Sequence, residues 1–177
     1  RVLHRLVDAG NSVIVIEHGG TDAGPFIQMP AALSYPMNMA HYDWGYATEP
    51  EPGLGGRRLA CPRGKVIGGS SSINAMIYVR GQAHDFDDWA AAGNDGWSFK
   101  EVLPYFRKLE SHPLGNSQYH GASGPISITP MKGQTHPICE AFLKGCEELG
   151  YPRSEDFNGA DVEGAGIYDV NTRNGQR

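Results

Sequence analysis

Apolar positions along this chain fall into short runs, separated by glycine, proline and polar clusters. Val2, Leu3, Leu6 and Val7 share one side of a helix over residues 1–9, and Gly10 is placed to stop it. The next run, Val13 to Ile16, is β-branched throughout, the pattern of a buried parallel strand. Glu17 ends that strand, and His18, Gly19 and Gly20 follow. Helix, strand and terminal acid predict the second half of a dinucleotide-binding βαβ unit, in which the acid accepts hydrogen bonds from ribose hydroxyls. The glycine fingerprint that opens such a helix is not in the sequence. The chain starts at Arg1, already inside the predicted helix, and stops at NTRNGQR without a cap. It reads as a fragment of a longer protein.

Residues 22–40, rich in Pro, Met and Ala, predict irregular structure. Residues 43–49 and 57–61 flank Gly53, Gly55 and Gly56, which predicts a hairpin or extended loop pair. Ser72 to Val79 has apolar residues on several sides and predicts a buried helix. Asp85 to Ala92 predicts a short helix with Asp85 as N-cap and Gly93 beyond its end. Ser98 and Glu101 form a capping-box pattern ahead of Val102, Leu103, Phe106 and Leu109. Pro104 inside that helix predicts a kink or an early break. From His112 to Gly124 the chain turns polar and glycine-rich, the best candidate boundary. Pro125 to Thr129 alternates as a strand. Pro137 to Leu149 predicts an amphipathic helix with Ile138, Phe142, Cys146 and Leu149 on one face, ended by Gly150.

A net charge of −5 without a basic stripe gives nucleic-acid binding no electrostatic support. No apolar run is long enough to span a bilayer, and no signal-like N-terminus is seen. Cys139 and Cys146 would lie about 10 Å apart along a helix, beyond disulfide reach. The three cysteines therefore read as reduced thiols in a cytoplasmic setting. The seven histidines show no metal-ligand spacing, and none stands out as a catalytic base. No Ser/His/Asp arrangement supports hydrolysis.

The segment that carries chemistry is Gly64 to Asp87, GKVIGGSSSINAMIYVRGQAHDFD. Gly68 and Gly69 lack Cβ, so the backbone can approach a ligand or take positive φ. Ser70, Ser71 and Ser72 offer hydroxyls and N–H groups where a helix could begin, a seat for an anionic group. The spacing of Gly64, Lys65, Ile67, Gly68, Gly69, Ser70, Ser71, Ile73, Asn74, Tyr78, Gly81 and Asp87 resembles the first signature of the glucose-methanol-choline (GMC) flavoprotein oxidoreductases. The resemblance runs along essentially the whole chain. FIQMPAALSYPMNM, YDWGYATEPEPGLGGRRL and GWSFKEVLPYFRKLE are similar to the bacterial choline dehydrogenase branch of that family.

The resemblance implies an α/β fold: an incomplete Rossmann-like FAD-binding domain over residues 1–112, lacking its first strand and glycine fingerprint. Residues 113–177 would begin an α+β substrate-binding domain. It implies FAD held by Glu17, Val66, Gly68, Gly69, Ser70, Ser71, Asn74, Ala75, Met76 and Ile77, with the hairpin region covering the flavin. Some members carry a histidine at the place of Ile73 that bonds covalently to the flavin; an aliphatic residue there implies non-covalent FAD. The implied activity is oxidation of a primary alcohol, choline to betaine aldehyde, by hydride transfer to flavin N5. The alternatives are an aliphatic or aromatic alcohol, or a non-redox lyase. The base would be a histidine with a His or Asn partner near the C-terminus of the full-length protein, so no catalytic residue is assigned here. Oxidase and dehydrogenase both stay open, as does the electron acceptor. The partner is a small-molecule alcohol, with peripheral membrane association of the full-length protein a further possibility. His18 is either a benign substitution or a neighbour of the adenosine. Arg63, Lys65 and Arg80 either neutralise a pyrophosphate or pair with acids such as Asp85 and Asp87, with a structural or surface ion pair the default for Arg80. Tyr42, Trp44 and Tyr46 either pack the loop or meet a quaternary ammonium through their ring faces.

Overall fold

The structure, a computed structural model, describes residues 2–177. Arg1, part of the first predicted helix, lies outside the described residues. The chain divides into two compact units, Arg1–Ala75 and Met76–Arg177. The fold is mixed, with short strands and five α-helices among the described residues.

In the first unit, α1 (Val2–Asp8) is followed by α2 (Pro25–Gln28), and Gly10 ends α1 in the left-handed region as its sequence position predicts. Val13–Ile16 corrects the sequence reading: it pairs with no strand among the described residues. Ile14 is 87% and Ile16 93% exposed. A strand exists through its ladder partners, and β-branched composition alone supplies none. The predicted hairpin is present, with β1 (Tyr46–Ala47) antiparallel to β2 (Ala60–Cys61) and further bridges at Glu51–Arg57 and Asp43–Gly64. Ile27, Tyr42, Val66 and Ile73 form the buried core, against which Met37 and Met39 pack. Each such side chain contributes about 2 kcal/mol by leaving water. Two of the four, Val66 and Ile73, come from the glycine-serine segment, so this core anchors that loop.

The second unit begins with β3 (Ile77–Tyr78) and continues through α3 (Ala83–Ala91) and α4 (Phe99–Leu109). The helix expected over residues 72–79 is a 3-10 turn at Gly69–Ser72 followed by β3. Met76 at φ +62° cannot lie inside a right-handed helix, and the chain runs extended there, with Met76 buried and Ile77 and Val79 exposed. Asp85 is not the N-cap of α3. Gln82 is, and the Asp85 carboxylate accepts the Gln82 N–H at 2.7 Å. α4 runs through Pro104 to Leu109 without the predicted break. Lys100, whose carbonyl loses its N–H partner to the proline, is exposed, so that loss falls on the solvent side of the helix. Phe86 packs edge-on against Trp89 and Phe106, and Phe99 N–H bonds to Asp87 at 2.9 Å, joining the two helices.

β4 (Glu110–Ser111) runs parallel to β5 (Ile126–Ser127), within the strand predicted over 125–129. α5 (Pro137–Glu148) also forms where predicted, closed by Gly150 at φ +87°. Its packed position is Leu143, 3% exposed, whereas Ile138, Phe142 and Leu149 of the predicted apolar face are exposed. β6 (Asp169–Val170) pairs antiparallel with β3, Tyr78 opposite Asp169.

The start of α4 yields a test. The Glu101 carboxylate accepts the Ser98 N–H at 3.1 Å and its hydroxyl at 2.5 Å, and an acid in the first turn also favours the helix dipole. Glu101→Ala is expected to cost about 1 kcal/mol, read as a lowered urea midpoint. An unchanged midpoint would show that water replaces the cap without loss.

Candidate functional site

The glycine-serine loop is built by close backbone approach. A Cβ added at Gly64 would lie 2.2 Å from the Gly69 carbonyl oxygen, and one at Gly19 would lie 1.9 Å from that of Lys65. Gly20 bridges Val66 in parallel, and Ile67 N–H donates to the Gly20 carbonyl at 3.0 Å. The Glu17-His-Gly-Gly turn and the signature loop, nearly fifty residues apart in sequence, are therefore neighbours. Gly68 and Gly69 are consecutive left-handed residues, φ +89° and +61°, and the space where a Gly69 side chain would point is open.

The serines hold the loop shut on itself. Ser71 Oγ donates to the Gly68 carbonyl at 2.7 Å, Ser72 Oγ donates to that of Ile67 at 2.7 Å, and Ser70 Oγ accepts the Gly64 N–H at 3.1 Å. Val66 is fully buried at 0%, while Gly68, Ser70, Ser71, Asn74 and Ala75 are exposed. The loop thus has an anchored apolar back and a polar, small-residue front. The expected helix start is only one 3-10 turn, so it carries little macrodipole. Any anion here would be met by individual N–H groups.

Glu17 is half-buried and its Oε1 accepts the Gly19 N–H at 2.8 Å. His18 stacks on Trp44 at 4.9 Å, a contact the sequence did not foretell. Lys65 Nζ donates to the Ala40 carbonyl at 2.5 Å and sits 5.7 Å above the Trp44 ring, while Arg63 bonds the Pro62 carbonyl. These two cations are engaged on protein groups. Tyr42 is core, whereas Trp44 and Tyr46 stack on the exposed hairpin. In the second unit, Met76 is buried with its carbonyl accepting the Asn171 N–H at 2.9 Å, and Ile77 is exposed. The exposed front of the loop, made of small residues and main-chain groups, has the chemistry to accept a flat, polar-edged cofactor, and Ile73 behind it is a buried hydrocarbon.

A second polar cluster, in the Met76–Arg177 unit, was not foreseen. Glu110 is fully buried and takes four partners. Tyr78 Oη donates to Oε2 at 2.7 Å, Arg80 pairs with Oε2 at 2.7 Å, Gly121 N–H donates to Oε1 at 2.8 Å, and His120 Nδ1 lies 3.0 Å from Oε1. His120 Nε2 reaches Asp156 at 2.8 Å. Ionised carboxylates only accept, so both ring nitrogens of His120 must donate and the ring is an imidazolium. Hydrogen bonds donated to Asp156 and Glu110 raise its pKa to about 9 against the opposing burial. Burial opposes the Glu110 charge, but bonds from His120, Tyr78, Gly121 and Arg80 outweigh it and hold the carboxyl at about 2. Burial and the Glu110 charge push the Tyr78 phenol up to about 12. Asp156 is lowered, chiefly by His120, against its own burial.

His112 stacks on His120 with ring centroids 4.1 Å apart. Its Nδ1 accepts the Leu114 N–H at 3.2 Å, so its proton sits on Nε2 and goes to Asp169 at 3.0 Å. Two cations, Arg80 and His120, balance two anions, Glu110 and Asp156. Arg80, read from sequence as an ordinary ion-pair residue, is buried and pairs with Glu110 rather than Asp85 or Asp87. The available signal was the charged Arg80 closing an apolar run: an arginine that follows such a run into the interior requires a buried acid. Among the described residues no group of three or more His, Cys, Asp or Glu is arranged to hold a metal, and the three thiols are free.

The chain is 50% identical over 177 residues to the oxygen-dependent choline dehydrogenase of Sinorhizobium fredii, and 51% over 175 residues to that of Brucella anthropi. Each comparison covers 98% of this chain and 32% of the relative, so the chain spans about a third of the length of the curated relatives it matches. Among solved structures it is similar to pyridoxine 4-oxidase from Mesorbium loti, with TM-score 0.89 and 39% identity over 98% of this chain and 34% of that one. It is also similar to an FAD-dependent oxidoreductase from Chaetomium thermophilum, with TM-score 0.82 and 32% identity over 96% and 31%. Residues 6–177, nearly the whole sequence, match the GMC oxidoreductase family, and the chain belongs to it as part of an N-terminal FAD-binding region.

Proposed function

We propose that the complete polypeptide oxidises a primary alcohol, with choline as substrate and betaine aldehyde as product. The observation that carries this reading is the identity of about one half, across 98% of the chain, with relatives named as choline dehydrogenases. When bound, FAD supplies the redox chemistry by accepting a hydride at flavin N5. This chain's residues bind and orient it. Glu17 offers a carboxylate to ribose hydroxyls. Gly68, Gly69, Ser70 and Ser71 present main-chain groups, and Val66 contributes through its backbone because its side chain is core. Asn74, Ala75, Met76 and Ile77 complete the set, and Ile73 supports non-covalent attachment. No residue of this chain is assigned as the base. The boundary near residue 112 belongs to the same proposal, as does peripheral membrane association. No helix among the described residues is long and apolar enough to cross a membrane.

The test is the visible flavin spectrum of the complete polypeptide before and after choline is added without oxygen. Bleaching of the oxidised band establishes hydride transfer from choline. A band that choline leaves unchanged, but pyridoxine or an aromatic alcohol bleaches, replaces the substrate and keeps the chemistry. A band that no alcohol bleaches moves the activity to a non-redox role.

A further inference from the structure

We propose that Glu110 is a positioning residue for the flavin, acting through Tyr78 and Arg80 on the extended segment that carries Met76 and Ile77. The inference rests on the reading of Met76 and Ile77 as cofactor contacts. Its physical basis lies in what holds that segment. β3 has only two residues and one pairing partner, β6, so its ladder alone is a weak clamp. Beyond the ladder, Tyr78 is tied at its hydroxyl to Glu110. Arg80 is tied at three points: its guanidinium to Glu110 and to the Tyr119 carbonyl at 2.7 Å, and its N–H to Asn158 at 2.8 Å. Asn158 closes the loop by donating to the Tyr78 carbonyl at 3.1 Å. Tyr78, in β3, and Arg80, just after it, are thereby fixed to three distant segments, around Glu110, Tyr119 and Asn158.

Met76 gives this clamp a task. A buried methionine at φ +62° is uncommon, and such a conformation persists only where the surroundings over-determine it. The Met76 carbonyl is held by the Asn171 N–H at 2.9 Å. With the next residues anchored at Tyr78 and Arg80, the left-handed turn at Met76 cannot relax by sliding β3. That turn sets where the exposed Ile77 presents its side chain and main chain. Glu110 touches both anchors through their side chains, as Asn158 does through their main chain, and its charge is balanced by Arg80 and His120.

The experiment uses the complete, FAD-loaded polypeptide with Tyr78→Phe and Glu110→Gln. Tyr78→Phe removes one hydrogen bond and leaves every charge paired, so it folds if any variant does. FAD affinity and the visible circular dichroism of the bound flavin are measured on each folded protein, with Glu101→Ala as a variant destabilised elsewhere. The expected result is at least a fivefold weaker FAD affinity for Tyr78→Phe, roughly one hydrogen bond's worth, a larger loss for Glu110→Gln, and an altered flavin dichroism in both. Glu101→Ala is expected to keep the wild-type dichroism. Wild-type affinity and dichroism in Tyr78→Phe would overturn the proposal while leaving the cofactor reading intact. A wild-type protein without flavin would overturn the cofactor reading itself, and this inference with it.

Discussion

Gly64→Ala is expected to strip the protein of its flavin, whereas Gly69→Ala, five residues on, is expected to weaken it only slightly. The two glycines meet different physical demands. At Gly64 the added methyl would lie 2.2 Å from the Gly69 carbonyl oxygen, 2.3 Å from its carbon and 2.7 Å from the Ser70 nitrogen. All three are backbone atoms, so no side chain can swing away, and the loop that presents Gly68 to Ser71 must open. Overpacking of this kind costs about 3 kcal/mol, which corresponds to about a hundredfold loss of FAD affinity if the loop is the cofactor's seat. At Gly69 nothing lies within 4 Å of the added methyl, and only the left-handed φ of +61° is penalised. That penalty is about 1 kcal/mol. Equilibrium dialysis of FAD against the two variants checks the contrast. Equal affinities would show that the cofactor does not depend on this loop's closed form.

The same loop shows what sequence can and cannot convey. Its glycines and serines announced a backbone-made site because φ and close approach are local demands that residue type alone satisfies. The cap at Ser98–Glu101, the hairpin turn and the span of α5 were legible for the same reason: each is written within a few residues. The strand at Ile77–Tyr78 was misread as helix because the unbroken apolar run from Ala75 to Val79 shows neither period. Which face of α5 packs was also lost, since Leu143 rather than Phe142 is chosen by its tertiary neighbours. The Glu110 cluster was least legible. Its bonds join residues 32, 10 and 36 positions apart, and its members, taken singly, look like ordinary surface residues.

Stability is expected to fall as pH rises from about 6.5 to 9, before the lysines titrate, and His120 is the cause. The sign follows from the direction of its shift. The folded protein holds the His120 proton until about pH 9, the unfolded chain only to about 6.5, so the folded state binds more protons between them. Its stabilising contribution is complete below 6.5 and lost as pH passes 9. The size is about 3 kcal/mol, from 1.36 kcal/mol per pH unit of separation. The groups facing the ring fix the sign: Glu110 and Asp156 on its two nitrogens, His112 stacked beside it, Arg107 on its carbonyl, and Arg80 sharing Glu110. The acid side of the same contacts is set by Glu110, whose contribution is present above about 4.5 and disappears as pH falls through about 2. Urea midpoints of the complete polypeptide across pH 6 to 10 measure the alkaline limb. His120→Gln, which keeps a donor toward one carboxylate but carries no titrating proton, is expected to be less stable at pH 6.5 and to lose the slope. A slope that survives this substitution would assign the alkaline transition to another group.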